Sequence, residues 1–210
     1  DVLIVSNGAA VIDPRDRATL HEHRLPVDAA AAVIARIRSR WPEVGFGWEL
    51  GTHFIGDAAF VELCRRMTIL RDPVVEEVSP APATGVHQLV FAAPGAVPAQ
   101  LVDEVGAMLG GDYWVTDSNG GVVEISAARV PKAEGARWWA DSLGHGLEEV
   151  VAFGDELNDI PLLRAAGRGY AMANAAEHVR LTAHATTASN DDDGVALVLE
   201  SLVAARGGRA

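Results

Sequence analysis

One cysteine in 210 residues, Cys64, excludes a disulfide within the chain and any zinc site built from several thiolates. Its ordinary role is that of a small core residue. Long apolar runs are lacking as well: none approaches the roughly 20 residues of a membrane-spanning helix. No signal-peptide pattern opens the sequence, and methionine does not stand first. Positive charge is scarce, with 17 Lys and Arg against 29 Asp and Glu. The resulting net charge of −12 argues against nucleic acid and anionic membranes as partners, because neither is attracted to an acidic surface. Cysteine poverty suits a reducing cytoplasm, the compartment expected for this chain. Disorder is excluded in turn, since 49% hydrophobic and 22% charged residues suffice for one folded domain with a sizeable insertion.

What is present centres on Glu148–Gly167, where an apolar strand runs through acids into a helix. Val150, Val151, Ala152 and Phe153 form the unbroken run expected of a strand buried on both sheet faces. Gly154 ends it and places Asp155 at the strand's carboxyl edge, where open α/β sheets bind ligands. Asn158 and Asp159, three and four residues on, are expected in the first turn of the next helix, beside an N-terminus that favours phosphate. Asp and Asn are also ordinary helix caps, worth about 0.3–1 kcal/mol as first-turn acids, so this turn alone does not decide between ligand and cap.

Lysine is scarcer still: the chain has sixteen Arg and one Lys, Lys132. An ammonium is a compact charge that fits between a carboxylate and a phosphoryl oxygen, where a guanidinium is broad and forked. Lys132 opens the predicted helix KAEGARWWADSLG, which leads directly into the Asp155 strand as one αβ unit.

Elsewhere DVLIVSNGAAVID reads as a buried strand, a turn at Asn7-Gly8 and a second strand. Alternation in ATLHEHRL predicts a half-exposed strand with solvent-facing His21 and His23 on one face, too few ligands for a metal site. Pro26 and Asp28 open a helix to Arg40 whose buried face is Ala30, Val33, Ile34 and Ile37. FGWEL and HFIGD predict a hairpin across Gly51-Thr52, Phe60 to Met67 has mixed helical character, and SPAPATG at 79–85 is a loop. VHQLVFAA is a strand, Val97–Leu109 a helix, and YWVTDSNGGVVEIS a hairpin turning at Asn119-Gly120. Trp48 and Trp114 are core residues by default, with sugar stacking as their functional alternative. After the acid loop, Pro161 sits in the first turn of its helix. A short strand follows in RGYAMANA, then a helix over Ala176–Thr182, a strand in HATTAS, and a last helix from Asp191–Asp193 through Val203. Its triple Asp reads as capping, and RGGRA as a frayed tail.

Lys132 at a helix start, GDELND, YAMANA from Tyr170, SNDDDGVA from Ser189 and the opening SNGA from Ser6 together resemble the haloacid dehalogenase superfamily, specifically its Cof-like phosphatases. The likeness spans almost the whole chain with element order preserved. It implies an α/β fold: a Rossmann-like parallel-sheet core, incomplete at its N-terminus, carrying an inserted α+β cap. Residues 1–9 would be a core strand, 10–127 the cap, 128–206 the core with the Lys and GDxxND motifs, and 207–210 a tail. Ala133 follows the lysine where family members often have Gly.

The resemblance further implies Mg²⁺-dependent hydrolysis of a small phosphorylated metabolite, of the sugar phosphate kind, through an aspartyl-phosphate. Asp155 is then a metal ligand and Asp159 a second ligand or an acceptor behind the first. Lys132 and Asn158 are catalytic, and Asn7 and Gly8 lie on the substrate side. The family's nucleophile, the first Asp of a DxDGT-type motif, matches no residue of this chain, nor does its second motif. Two βαβ units, roughly 60 residues, would carry both. The 210 residues alone are therefore expected to be inactive on phosphomonoesters. Two other classes compete: a non-catalytic phosphate- or sugar-binding protein, and the phosphorylation domain of a cation-pumping ATPase. The second requires membrane helices, and the sequence contains none.

Overall fold

The structure is a computed structural model and describes residues 1–67, 75–77, 82–93, 97–117, 121–127 and 132–207. The chain divides into two compact units, Asp1–Gly135 and Ala136–Ala210.

The first unit opens with a small antiparallel sheet of β1 (Leu3–Val5), β2 (Ala10–Ile12) and β3 (Thr19–Glu22), in that order. The expected burial of the first strand does not hold. Leu3 is 52% and Ile4 36% exposed, because β1 lies at the sheet edge with β2 as its one neighbour among the described residues. On β3 and just beyond it, His21 and His23 bring their Nε2 atoms to 3.1 Å. No group of three or more metal-ligating side chains exists among the described residues.

Helix α1 (Val27–Arg40) follows, with Ala30, Val33 and Ile37 buried at helical spacing and Ile34 packed beside them. The larger sheet consists of β4 (Phe46–Glu49), β5 (Phe54–Gly56), β6 (Val75–Glu77), β7 (Gln88–Phe91), β8 (Tyr113–Thr116) and β9 (Val123–Ala127), in the order β6-β5-β4-β7-β9-β8. The β4–β5 and β8–β9 pairs are antiparallel, as their hairpin patterns predicted. The Asn119-Gly120 turn and residues 79–81 of the predicted loop lie outside the described residues. Alternation along each strand gives the sheet two faces. Phe46 and Trp48, Leu89 and Phe91, and Val123 and Ile125 meet α1 and α3 (Pro98–Leu109) in the main core. Trp48, 4% exposed, is thus a core residue. Phe60 to Met67, ambiguous in sequence, belongs to α2 (Ala58–Met67), where Phe60 and Cys64 pack with Val90 of the sheet. Helix α4 (Lys132–Ser142) runs across the division between the units.

The second unit holds a parallel sheet of β10 (Val151–Gly154), β11 (Arg168–Ala171) and β12 (Ala185–Thr186). Helix α5 (Ile160–Ala165) crosses from β10 to β11, as parallel pairing requires. Leu163, Ala166, Ala175 and Val179 pack with Ala152 into its core, the last from α6 (Glu177–Arg180). Burial of β10 alternates where sequence predicted burial on both faces: Ala152 and Gly154 are buried, Val151 and Phe153 half-buried. β10 ends the sheet among the described residues, and the Phe153 ring stacks on Tyr170 across the strand pair, 5.6 Å between centroids. The last helix, α7, is Gly194–Gly207 and extends beyond the predicted Val203. The Asp191–Asp193 run does not begin it as expected. Asn190–Asp192 form a separate 3-10 turn, in which the Ser189 hydroxyl donates to Asp192, and Asp193 is left-handed with φ 55°. Asp193 is one of the few non-glycine residues with positive φ, a conformation Asp tolerates better than most. None of the described helices is long and apolar enough to cross a membrane.

Candidate active site

Met172 N–H donates to the Gly154 carbonyl at 2.9 Å, so the turn after β11 is tied to the carboxyl end of β10. Asp155 begins there, at the sheet edge where its sequence position predicted it. Asn158 and Asp159 do not lie in the first turn of α5; they form a 3-10 turn, Leu157–Asp159, which precedes it. The reason is the Asp159 carboxylate. Its Oδ2 accepts hydrogen bonds from the Asp155 N–H at 3.0 Å and the Glu156 N–H at 3.1 Å, folding the loop back on itself. Asp159 is 7% exposed, and two bonds to a charged acceptor compensate much of the cost of burying it. Asn158 is buried on the same turn, at 3% exposure.

Gly154 is part of this arrangement. A Cβ there would stand 2.4 Å from Asp159 Cβ and 2.7 Å from its Oδ2, closer than such atoms pack. Gly154→Ala is therefore expected to displace the Asp159 carboxylate and lower stability by about 1–3 kcal/mol, the usual cost of overpacking. Thermal denaturation checks this, and a wild-type melt would show that the loop accommodates the methyl group.

Asp155 gains one partner that sequence reasoning passed over. Asn174, nineteen positions on, donates from Nδ2 to Asp155 Oδ2 at 2.7 Å, and its own Oδ1 accepts the Asn190 N–H at 3.2 Å. Both asparagines stand in segments quoted for the family resemblance, YAMANA and SNDDDGVA, yet spacing alone gave them no role.

In the first unit, Ser6, Asn7 and Gly8 form a tight turn with φ of 49°, 55° and 99°, closed by the Ala9 N–H on the Ser6 carbonyl at 3.1 Å. Three consecutive left-handed residues are unusual; Gly8 adopts the conformation freely and Asn7 tolerates it, whereas Ser6 pays for it. Asn7 Nδ2 donates to Glu124 Oε2 at 2.8 Å, joining the turn to β9. Glu49 and Glu124 point to the sheet face opposite the main core, visible in sequence only as acids inside apolar strands. Burial raises the Glu49 pKa above the usual glutamate value; a Ser6 hydrogen bond opposes the shift and the Glu124 charge adds to it. His87 is buried, with Nε2 at 2.9 Å from Glu22 Oε2. Burial lowers its pKa below the usual histidine value, against the pull of Glu22.

Lys132 is half-buried at the first position of α4, as predicted. One turn on, a Cβ at Gly135 would stand 2.6 Å from Ile4 Cγ2 and 3.2 Å from the Gly8 carbonyl oxygen, so the first turn of α4, the part within the first unit, rests directly on the Asn7-Gly8 turn. Of the sequence-predicted residues, the second unit brings Asp155, Asn158 and Asp159 together, while Asn7, Gly8 and Lys132 belong to the first. Chemically, the second unit offers one carboxylate held in place at a sheet edge, a hard oxygen donor of the kind that divalent cations such as magnesium take together with water or phosphate oxygens.

The family model for haloacid dehalogenase-like hydrolases matches residues 1–199. A putative phosphatase of Haemophilus influenzae is 37% identical over 83 residues, 40% of this chain and 32% of that protein. A phosphoglycolate phosphatase of Methanopyrus kandleri is 34% identical over 147 residues, 69% of this chain and 59% of the relative. A Streptococcus mutans protein of known crystal structure superposes with a TM-score of 0.82 at 24% identity, covering 97% of this chain and 77% of that one. A sugar phosphatase of subclass IIB superposes at 0.79 with 21% identity, covering 96% and 75%. The matches span about a third of the first curated relatives' length.

Proposed function

The chain belongs to the haloacid dehalogenase-like hydrolases, and from that premise we propose that the protein hydrolyses phosphate monoesters of a small metabolite, of the sugar phosphate kind, in the cytoplasm. The phosphatases among its relatives support the reaction class. The observation that carries the site is Asp155 at the carboxyl end of a parallel strand, one oxygen held by Asn174, on a loop closed by Asp159.

In this reading Asp155 would hold Mg²⁺, with Asp159 as second ligand or, through the two N–H bonds it accepts, as the group that shapes the loop. Bound Mg²⁺ would supply positive charge against the phosphoryl oxygens. Lys132 contributes a compact second charge, the kind of stabilisation from which phosphoryl transfer gains most of its rate. Asn158 orients Lys132 or the phosphate. Asn7 and Gly8 border the substrate, and residues 10–127 act as the cap that selects it. The attacking carboxylate of the aspartyl-phosphate is assigned to none of residues 1–210.

Phosphate release from a panel of sugar phosphates, by the purified gene product that carries these residues, tests the proposal. Turnover is expected with Mg²⁺ and not with chelator. Substrate binding without release on any member of the panel would overturn it in favour of a non-catalytic phosphate- or sugar-binding protein.

A further inference from the structure

We infer that Asn174 is a positioning residue for Asp155, fixing which carboxylate oxygen is offered to the metal; this rests on the ligand reading of Asp155 above. The Asn174 amide is used at both ends, its Nδ2 donating to Asp155 Oδ2 at 2.7 Å and its Oδ1 accepting the Asn190 N–H at 3.2 Å. The two partners also settle its orientation. Turned over, the amide would set oxygen against carboxylate and NH₂ against N–H. The amide therefore pins Asp155 Oδ2, and among the described residues no hydrogen bond engages Oδ1, which remains as the oxygen for a metal.

The chemistry of the positioner matters. An Arg or Lys in the same place would orient the carboxylate equally well but cancel the charge that attracts a cation. A neutral amide fixes direction and leaves the full negative charge in place. Partners of this kind, standing behind a metal ligand, typically change metal affinity 10- to 100-fold when removed.

The backbone carrying Asn174 does not depend on its side chain. The turn is held by Met172 N–H on the Gly154 carbonyl at 2.9 Å, Ala173 N–H on the Ala188 carbonyl at 3.3 Å and Ala175 N–H on the Met172 carbonyl at 3.0 Å. Arg180 Nη1 also reaches the Ala173 carbonyl at 3.1 Å. Truncating an exposed Asn on so well-tied a turn removes the two side-chain bonds and little else.

The Asn190 end can be removed separately. Asn190 is the first residue of its 3-10 turn, a position that accepts proline, and Ser189 before it has φ −69° and ψ 170°, the extended conformation a residue preceding proline adopts. Asn190→Pro thus deletes the one N–H that holds Asn174 in place.

Calorimetric titration with Mg²⁺ of the wild-type protein, Asn174→Ala, Asn190→Pro and Asp155→Asn is the test. Asn174→Ala is expected to bind about tenfold more weakly and Asn190→Pro about threefold, both with unchanged stoichiometry and melting temperature. Where turnover is measured, the Mg²⁺ concentration for half-activation should rise while kcat at saturating Mg²⁺ stays at the wild-type value, an effect that loss of fold would not produce. Wild-type affinity in Asn174→Ala, with binding lost in Asp155→Asn, overturns this inference alone. Wild-type affinity in Asp155→Asn overturns the ligand reading itself.

Discussion

Asp155→Asn is expected to weaken Mg²⁺ binding by about 100-fold or more, beyond what removal of a partner behind the ligand costs, while the protein stays folded. Asn has nearly the shape of Asp but no charge, and a hard dication is held chiefly by charge on oxygen. Structural cost is small because Asp155 is half-buried and the backbone around it is fixed by other groups: its own N–H is bound by Asp159, and the neighbouring Gly154 carbonyl by Met172. Asn174, donating to Oδ2 at 2.7 Å, still finds an acceptor if the new amide turns its oxygen inward. Calorimetry reports the affinity and circular dichroism the fold. Unchanged affinity would remove Asp155 from the metal site.

Lys132→Arg is expected to lower kcat of the intact enzyme by about 100-fold although the charge is retained, a loss of the size seen when one charge-stabilising donor is removed. The longer, planar guanidinium would need the helix start to withdraw. It cannot withdraw easily. Ala133 next to it is 5% exposed, and Gly135 brings α4 against Ile4 and the Gly8 carbonyl with no room for even a methyl group. Steady-state phosphate release measures the effect. Wild-type turnover in the variant would leave Lys132 as a surface cation at a helix start.

These two residues were legible in the sequence for different reasons. Asp155, Asn158 and Asp159 lie within five positions, so the strand-to-helix pattern alone brings them close. Lys132 stood out because the chain otherwise uses Arg throughout, and because it opens a helix feeding that strand. The amphipathic faces of α1 and α3 and the two hairpins were equally readable, since burial on one face imposes a period of 3.6 or 2. Where pattern was ambiguous, neighbours decided. Phe60 to Met67 became helical because Phe60 and Cys64 have a sheet face at Val90 to pack against. β10 is less buried than its apolar run suggested because burial depends on what covers a strand.

The pairings that the sequence did not reveal are those made over long separations. Asn7 meets Glu124 across 117 positions, and Asn174 meets Asp155 across 19 and Asn190 across 16. Such pairs follow from strand register. Gly154 opposite Ala171 in the β10–β11 pairing brings the Asn174 turn to Asp155, and Tyr170 opposite Ala185 brings the Asn190 turn to Asn174. By itself the sequence determined the parallel αβ segment around β10, the acid loop and the lone lysine at a helix start, because each is encoded in adjacent residues through period, spacing and charge. Tertiary structure alone decided that Asp159 bends the loop into a 3-10 turn over Gly154, that Asn174 holds one oxygen of Asp155, and that Gly135 in the first turn of α4 packs on the Asn7-Gly8 turn. Each of these depends on a close approach between chain segments, and close approach is set by packing and register, which local sequence does not contain.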